Sequence, residues 1–187
     1  MSNIKTLTTS NNKKIYIFDD IYDAAARMKF YLFIKNSYFK TDGRPDAGTL
    51  ETCGDLHLFS PFSIDDIENM GLLIHPDSKI FEELLGGHRV ANSRVNLATL
   101  NDKNRFHTDT TSAGLTLLYY PNFRWELEWG GYTLFSDDSM AEIEHCVAYK
   151  PGRVIIFDGT IPHCIGAPTI IAPSYRFSFA IQYIKNS

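Results

Sequence analysis

From Arg94 onward the sequence is a succession of short β-rich runs, each closed by turn residues, and that rhythm limits the folds open to it. The runs span residues 95–100, 115–120, 132–135, 142–149, 153–157 and 175–184. Pro121-Asn122, Gly130-Gly131, Ser136-Asp137-Asp138 and Pro151-Gly152 separate them as turn signals. Many short strands at this spacing close into a sandwich or a jelly-roll barrel. The last run carries the clearest pattern. Tyr175, Phe177, Phe179, Ile181 and Tyr183 fall on one face, and Arg176, Ser178, Ala180 and Gln182 on the other. The aromatic face is expected to pack on helices, and the polar face to look into the barrel.

Those helices are sought in the first half of the chain. Residues 1–12 are rich in Ser, Thr and Asn and are expected to fray. Residues 14–18 alternate as a short strand, and Asp19-Asp20 is expected to cap a helix over 21–38. Residues 41–62 hold Gly, Pro and Asp with weak periodicity, which reads as a long loop of the kind that forms functional lids. Ser63 with Asp66 marks a helix start, and that helix is expected to end near Gly71. A further short helix is expected over 76–85, closed by Gly86-Gly87. Helices first and strands after give an α+β, mainly β architecture, with N-terminal helices packed on a major sheet. One domain over 1–187 is expected, with 1–92 as helical support and lid and 93–187 as the jelly-roll core.

A chain of 187 residues can bury a core without disulfide staples. Its cysteines, Cys53, Cys146 and Cys164, are odd in number and form no Cys-x-x-Cys, which fits a reducing compartment and a cytoplasmic location. The polar start lacks the apolar run of a signal peptide, and no apolar run is long enough to span a membrane. A net charge of -4 argues against non-specific nucleic-acid binding.

The chemistry-bearing stretch is Phe106-His107-Thr108-Asp109. On extended backbone, residues two apart share a side, so His107 and Asp109 can aim at one point. His163 follows 54 residues after Asp109, in Thr160-Ile161-Pro162-His163. Two histidines and a carboxylate on one face of a metal are the facial triad of non-heme Fe(II) oxygenases. Arg176, on the cavity face of the last run, suits a carboxylate, because its planar fork gives two parallel hydrogen bonds and keeps its charge when buried. Ser178 can add a hydroxyl from the same face. Cys164 points to the other side of a strand from His163, and His57, His75, His88 and His145 have no partner ligand at strand spacing. Trp125 and Trp129 either line a substrate mouth or fill the core. Asp158 is either a partner that orients a ligand or a turn residue before Gly159.

Taken in order, His107-Thr108-Asp109, Leu117-Leu118-Tyr119-Tyr120-Pro121-Asn122, Trp129-Gly130-Gly131-Tyr132-Thr133-Leu134-Phe135, Pro151-Gly152-Arg153-Val154-Ile155-Ile156-Phe157-Asp158-Gly159, Pro162-His163 and Arg176-Phe177-Ser178 resemble the prolyl 4-hydroxylase-like branch of the Fe(II)/2-oxoglutarate dioxygenases. The resemblance covers residues 93–185. It implies a double-stranded β-helix and Fe(II) held by His107, Asp109 and His163. It further implies 2-oxoglutarate held at its C5 carboxylate by Arg176 with help from Tyr120, O2 as the oxidant, and ascorbate as an optional addition. The implied reaction is hydroxylation of an unactivated C–H as 2-oxoglutarate is decarboxylated to succinate. Halogenating relatives vacate the carboxylate position, so Asp109 favours hydroxylation. Peptidyl or free proline is the branch's default substrate, and a small metabolite, another amino acid or a sugar is an alternative. The interval from His163 to Arg176 is longer than in the branch, which implies an insertion in the loop 165–174. A cupin-like metal-binding jelly roll is the reading outside the oxygenases, and Arg176 on the cavity face is what discriminates between the two.

Overall fold

The computed structural model describes residues 3–41, 58–73, 81–100, 102 and 105–186. In chain order the elements are β1 (Asn3–Thr8), β2 (Lys14–Asp19), α1 (Ala24–Lys35), β3 (Lys40–Thr41), β4 (Leu58–Pro61), α2 (Ile64–Met70), α3 (Glu82–Leu85), β5 (His88–Ala98), β6 (Gly114–Tyr119), a 3-10 turn (Leu127–Trp129), β7 (Thr133–Ser136), β8 (Ile143–Val147), β9 (Val154–Asp158), β10 (His163–Ile165) and β11 (Arg176–Lys185). An eight-stranded sheet runs β1-β2-β9-β6-β11-β5-β4-β3, and a three-stranded sheet runs β10-β7-β8. Every neighbouring pair is antiparallel. This is a mainly β double-stranded β-helix, the jelly roll that the strand rhythm suggested.

The alternation of β11 sorts the molecule into two cores. Phe177, Phe179, Ile181 and Tyr183 join Phe30 and Ile34 of α1 and Ile67 and Met70 of α2 in one cluster outside the barrel. Ala180 joins Leu118, Tyr120, Phe135, Ile155 and Phe157 in the other, between the sheets. The helix α1 buries Ala26, Phe30 and Ile34, spaced four apart on one stripe. Phe30 meets Tyr22 and Tyr119 edge-on at 5.0 and 5.7 Å between ring centroids. Ser63 and Asp66 form a reciprocal capping box on α2, and Gly71 ends it with φ 81°, a left-handed conformation that glycine adopts without Cβ strain.

Several boundaries differ from the sequence reading, for identifiable reasons. Residues 3–8 do not fray. They pair along their length with β2, from Asn3 opposite Asp19 to Thr8 opposite Lys14. The first helix spans Ala24–Lys35, because Asp23 caps it by accepting from Ala26 N at 2.7 Å. Asp19 instead ends β2 in a two-pronged ion pair with Arg153, and Asp20 turns the chain at φ 58°. β5 starts at His88, before the expected 95. Tyr175 lies outside β11 and is 59 % exposed, because the Asn122 side chain grips the chain there, donating to Tyr175 O and accepting from Phe177 N. The expected loop over 41–62 contributes β3 and β4 at its ends, while its lid reading falls on 42–57, outside the described residues. Of the expected helix over 76–85, Glu82–Leu85 is helical as α3, and 76–80 lie outside the described residues.

Candidate metal centre

The backbone brings the three expected ligands together. His107 N donates to His163 O at 3.1 Å and His163 N to His107 O at 2.9 Å, an isolated antiparallel bridge between the His107 segment and β10. Asp109 N donates to Gly159 O at 2.9 Å, which holds the carboxylate segment to the turn after β9. β10 is kept in place by β7, where His163 lies opposite Phe135.

The side chains then converge. Asp109 Oδ1 is 3.8 Å from His107 Nε2, and Asp109 Oδ2 is 3.4 Å from His163 Nε2. One ligand atom from each residue lies within 4.8 Å of the others. His163 is buried beside the Phe157 and Phe135 rings, whereas His107 is exposed. Each Nδ1 faces a backbone carbonyl at 3.0 Å, Arg105 O for His107 and Ile161 O for His163. A carbonyl only accepts, so each Nδ1 is the protonated nitrogen and each Nε2 carries the lone pair in the neutral ring. Burial pushes the His163 pKa down, against the pull of Asp109, and keeps that ring neutral. Both Asp109 oxygens accept hydrogen bonds at 2.6 Å, Oδ1 from Gln182 Nε2 and Oδ2 from Thr116 Oγ1. Two imidazole lone pairs and a carboxylate crowded at one point repel one another unless a cation lies among them. The donor set therefore fits a divalent metal, and its composition fits Fe(II).

Arg176 is completely buried on the same face of β11 as Gln182. Its Nε donates to Gly131 O at 2.8 Å. The guanidinium carbon lies 5.2 and 5.0 Å from the Tyr120 and Tyr149 ring centroids. Gly131, at φ 75°, permits this approach: a Cβ there would stand 2.9 Å from Arg176 Cδ. Arg176 Nη1 and Nη2 and Ser178 Oγ are buried with no hydrogen-bond partner among the described residues. Buried donors without partners cost free energy, more so when charged, and such atoms in a cavity point to a ligand. Burial lowers the Arg176 pKa, and the Tyr120 and Tyr149 hydroxyls offset part of the shift. The Tyr120 hydroxyl itself pairs with Thr133 Oγ1 at 2.6 Å, and its ring stacks on Tyr149 at 4.3 Å.

Two residues with open readings are decided by packing. Trp125 is core, its Nε1 donating to Gly130 O and its ring against Tyr149. Asp158 is a turn residue, since its Oδ1 accepts from Thr160 N and Oγ1. Thr116 carries no sequence signal for its role beyond sharing a strand face with Leu118. A cavity of about 700 Å³ opens elsewhere, between α1 and the loop before β11, lined by Tyr31, Phe39, Ala172 and Tyr175 and by none of the triad residues. No helix among the described residues is long and apolar enough to cross a membrane.

No family model matches the chain, and no curated protein matches it. Solved structures do. A prolyl hydroxylase from Trichoplax adhaerens, in complex with a hypoxia inducible factor peptide fragment, superposes with a TM-score of 0.65 at 14% identity, covering 91% of this chain and 83% of that one. A 2OG-Fe(II) oxygenase family oxidoreductase from Burkholderia pseudomallei gives 0.67 at 11% identity, covering 92% and 86%. A non-heme α-ketoglutarate-dependent carbocyclase of nogalamycin biosynthesis gives 0.67 at 14% identity, covering 91% and 79%. The chain thus has the double-stranded β-helix fold shared by 2OG-Fe(II) oxygenases, prolyl hydroxylases among them.

Proposed function

We propose that the protein is an Fe(II)/2-oxoglutarate-dependent dioxygenase that hydroxylates an unactivated C–H bond, with peptidyl or free proline as the default substrate. The observation that carries this reading is the pairing of a complete His107/Asp109/His163 donor set with a buried guanidinium whose terminal nitrogens are unpartnered, on one cavity face. His107 Nε2, His163 Nε2 and an Asp109 oxygen would hold the ferrous ion. Thr116 and Gln182 would keep the carboxylate aimed at it. Arg176 would take the far carboxylate of 2-oxoglutarate in a two-pronged hydrogen bond, with Ser178 Oγ adding a third donor. Tyr120 would act through its ring, holding the guanidinium in place beside Tyr149. With iron, 2-oxoglutarate and O2 bound, the metal supplies the oxidising chemistry, and ascorbate would serve only to keep it ferrous. The inward apolar rings Phe135 and Phe157 keep water from the His163 side.

The test is direct. Anaerobic protein with Fe(II) and 2-oxoglutarate should develop a weak visible charge-transfer band, and addition of O2 should release succinate. A protein that binds Fe(II) but forms no band with 2-oxoglutarate is a cupin-like metal binder instead.

A further inference from the structure

The inner face of the major sheet carries a second guanidinium besides Arg176. Val95 and Leu97 of β5 belong to the cluster packed against α1 and α2, so Arg94, Asn92 and Asn96 point the opposite way, into the barrel. The strand register agrees. Arg94 lies opposite Ala180, which is part of the core between the sheets. Asn92 lies opposite Gln182, and Asn92 Nδ2 donates to Gln182 Oε1 at 3.2 Å while Gln182 Nε2 holds Asp109. Arg94 is therefore the next residue on this face of β5 from Asn92, whose partner Gln182 holds the metal-binding carboxylate. Its Nε is buried with no hydrogen-bond partner among the described residues.

β3, β4, β5 and β11 contain no Asp or Glu. On the same face, Lys40 of β3 sits over the Phe59 ring of β4 at 5.3 Å, adding a second cation and an apolar surface. The triad's own carboxylate is already engaged by Gln182 and Thr116. Arg176 lies six residues further along β11 from Gln182, at the other end of the cavity face.

We infer that Arg94 anchors a free carboxylate on the primary substrate, so that the enzyme acts on a small carboxylic acid such as a free amino acid rather than on an internal peptide residue. A planar carboxylate matches the fork of a guanidinium, and Phe59 offers the apolar contact for the carbon skeleton. The inference rests on the oxygenase reading for the meaning of "primary substrate", but the anion site does not depend on that reading.

The probes are the free amino acids and their carboxamides. They are added anaerobically to the protein loaded with Fe(II) and 2-oxoglutarate, and separately to the metal-free protein. At least one free acid should perturb the charge-transfer band while its carboxamide leaves it unchanged. Arg94→Gln should weaken that acid's binding on the order of 10²-fold and leave the 2-oxoglutarate half-saturation unchanged, and Arg94→Lys should retain part of the affinity. Formation of the band by each variant shows that the site is folded. Three outcomes overturn the inference: a panel in which no free acid binds, carboxamides that bind as well as acids, or an Arg94→Gln variant whose 2-oxoglutarate requirement rises. If the wild type forms no band at all, the oxygenase reading falls. The anion site is then decided by whether the same acids raise the melting temperature of metal-free wild type but not of Arg94→Gln.

Discussion

The two ends of the cavity face are finished to different degrees. At the metal end the atoms that aim the ligands are engaged: each Nδ1 has a carbonyl, each Asp109 oxygen has a donor, and the backbones of His107 and His163 are bonded to each other, which leaves the two Nε2 lone pairs for a metal. At the Arg176 end three buried polar atoms have none among the described residues. A metal site is aimed by its own protein, since misplaced ligands lose affinity. A cosubstrate site must leave hydrogen-bonding capacity free for the molecule it takes. The contrast distinguishes the group that is held by preorganised side chains from the group that completes them.

Asp109→Ala should have the largest effect. It removes a ligand and strips Gln182 and Thr116 of their acceptor, so anaerobic Fe(II) binding and succinate release should both be abolished. Unchanged turnover would show that the metal is held elsewhere. Arg176→Met separates the two ends. Fe(II) binding should persist, while the 2-oxoglutarate requirement rises on the order of 10²-fold, from two charge-assisted hydrogen bonds at about 1.5 kcal/mol each. The unliganded variant should melt no lower than wild type, because a buried, incompletely paired charge is replaced by apolar volume. The stabilisation that 2-oxoglutarate gives the wild type should disappear. A variant that melts lower and keeps its 2-oxoglutarate response would make Arg176 a purely structural residue. Gln182→Ala and Thr116→Val should each weaken Fe(II) affinity by about 10- to 100-fold, read by anaerobic titration, with the 2-oxoglutarate requirement less affected.

The contrast also marks what the sequence could disclose. The His107-Thr108-Asp109 triplet was legible because strand spacing alone puts two side chains on one side, and β11 because its alternation is unbroken from Arg176 to Tyr183. Both features are local. The reciprocal bridge between His107 and His163 is not local, and neither is the role of Thr116, which depends on the register of β6 with β11. β1 is not legible as a strand because an edge strand exposed to water needs few apolar residues, so its Thr and Lys content looks like coil. Arg94 is hidden for a related reason. The stretch of β5 before Val95 is largely polar or exposed, so its apolar pattern begins only there, and the residue that turns into the cavity lies outside the expected strand.

Arg153 provides the control for Arg176, because it is an arginine whose donors are engaged within the protein. Its Nε and Nη2 donate to the two Asp19 oxygens at 2.7 and 2.8 Å, and its Nη1 to Ala148 O at 2.7 Å. Partial burial raises the Asp19 pKa, but the hydrogen bonds and charge of Arg153, with Lys150, outweigh it and hold the carboxyl below its ordinary value. A carboxyl whose folded pKa is depressed stabilises the fold above its unfolded value, about 3.9, and that contribution is lost as pH falls through the folded one. Asp19→Asn should therefore cost about 1 kcal/mol at pH 7, and its stability should fall less steeply than wild type below about pH 4. Urea midpoints at pH 7, 4 and 3 measure both. Neither Fe(II) affinity nor the 2-oxoglutarate requirement should change, because this pair is satisfied within the fold. A shift in either would mean that the β2–β9 edge is coupled to the cavity, and that the division between a self-completed and a ligand-completed arginine does not hold.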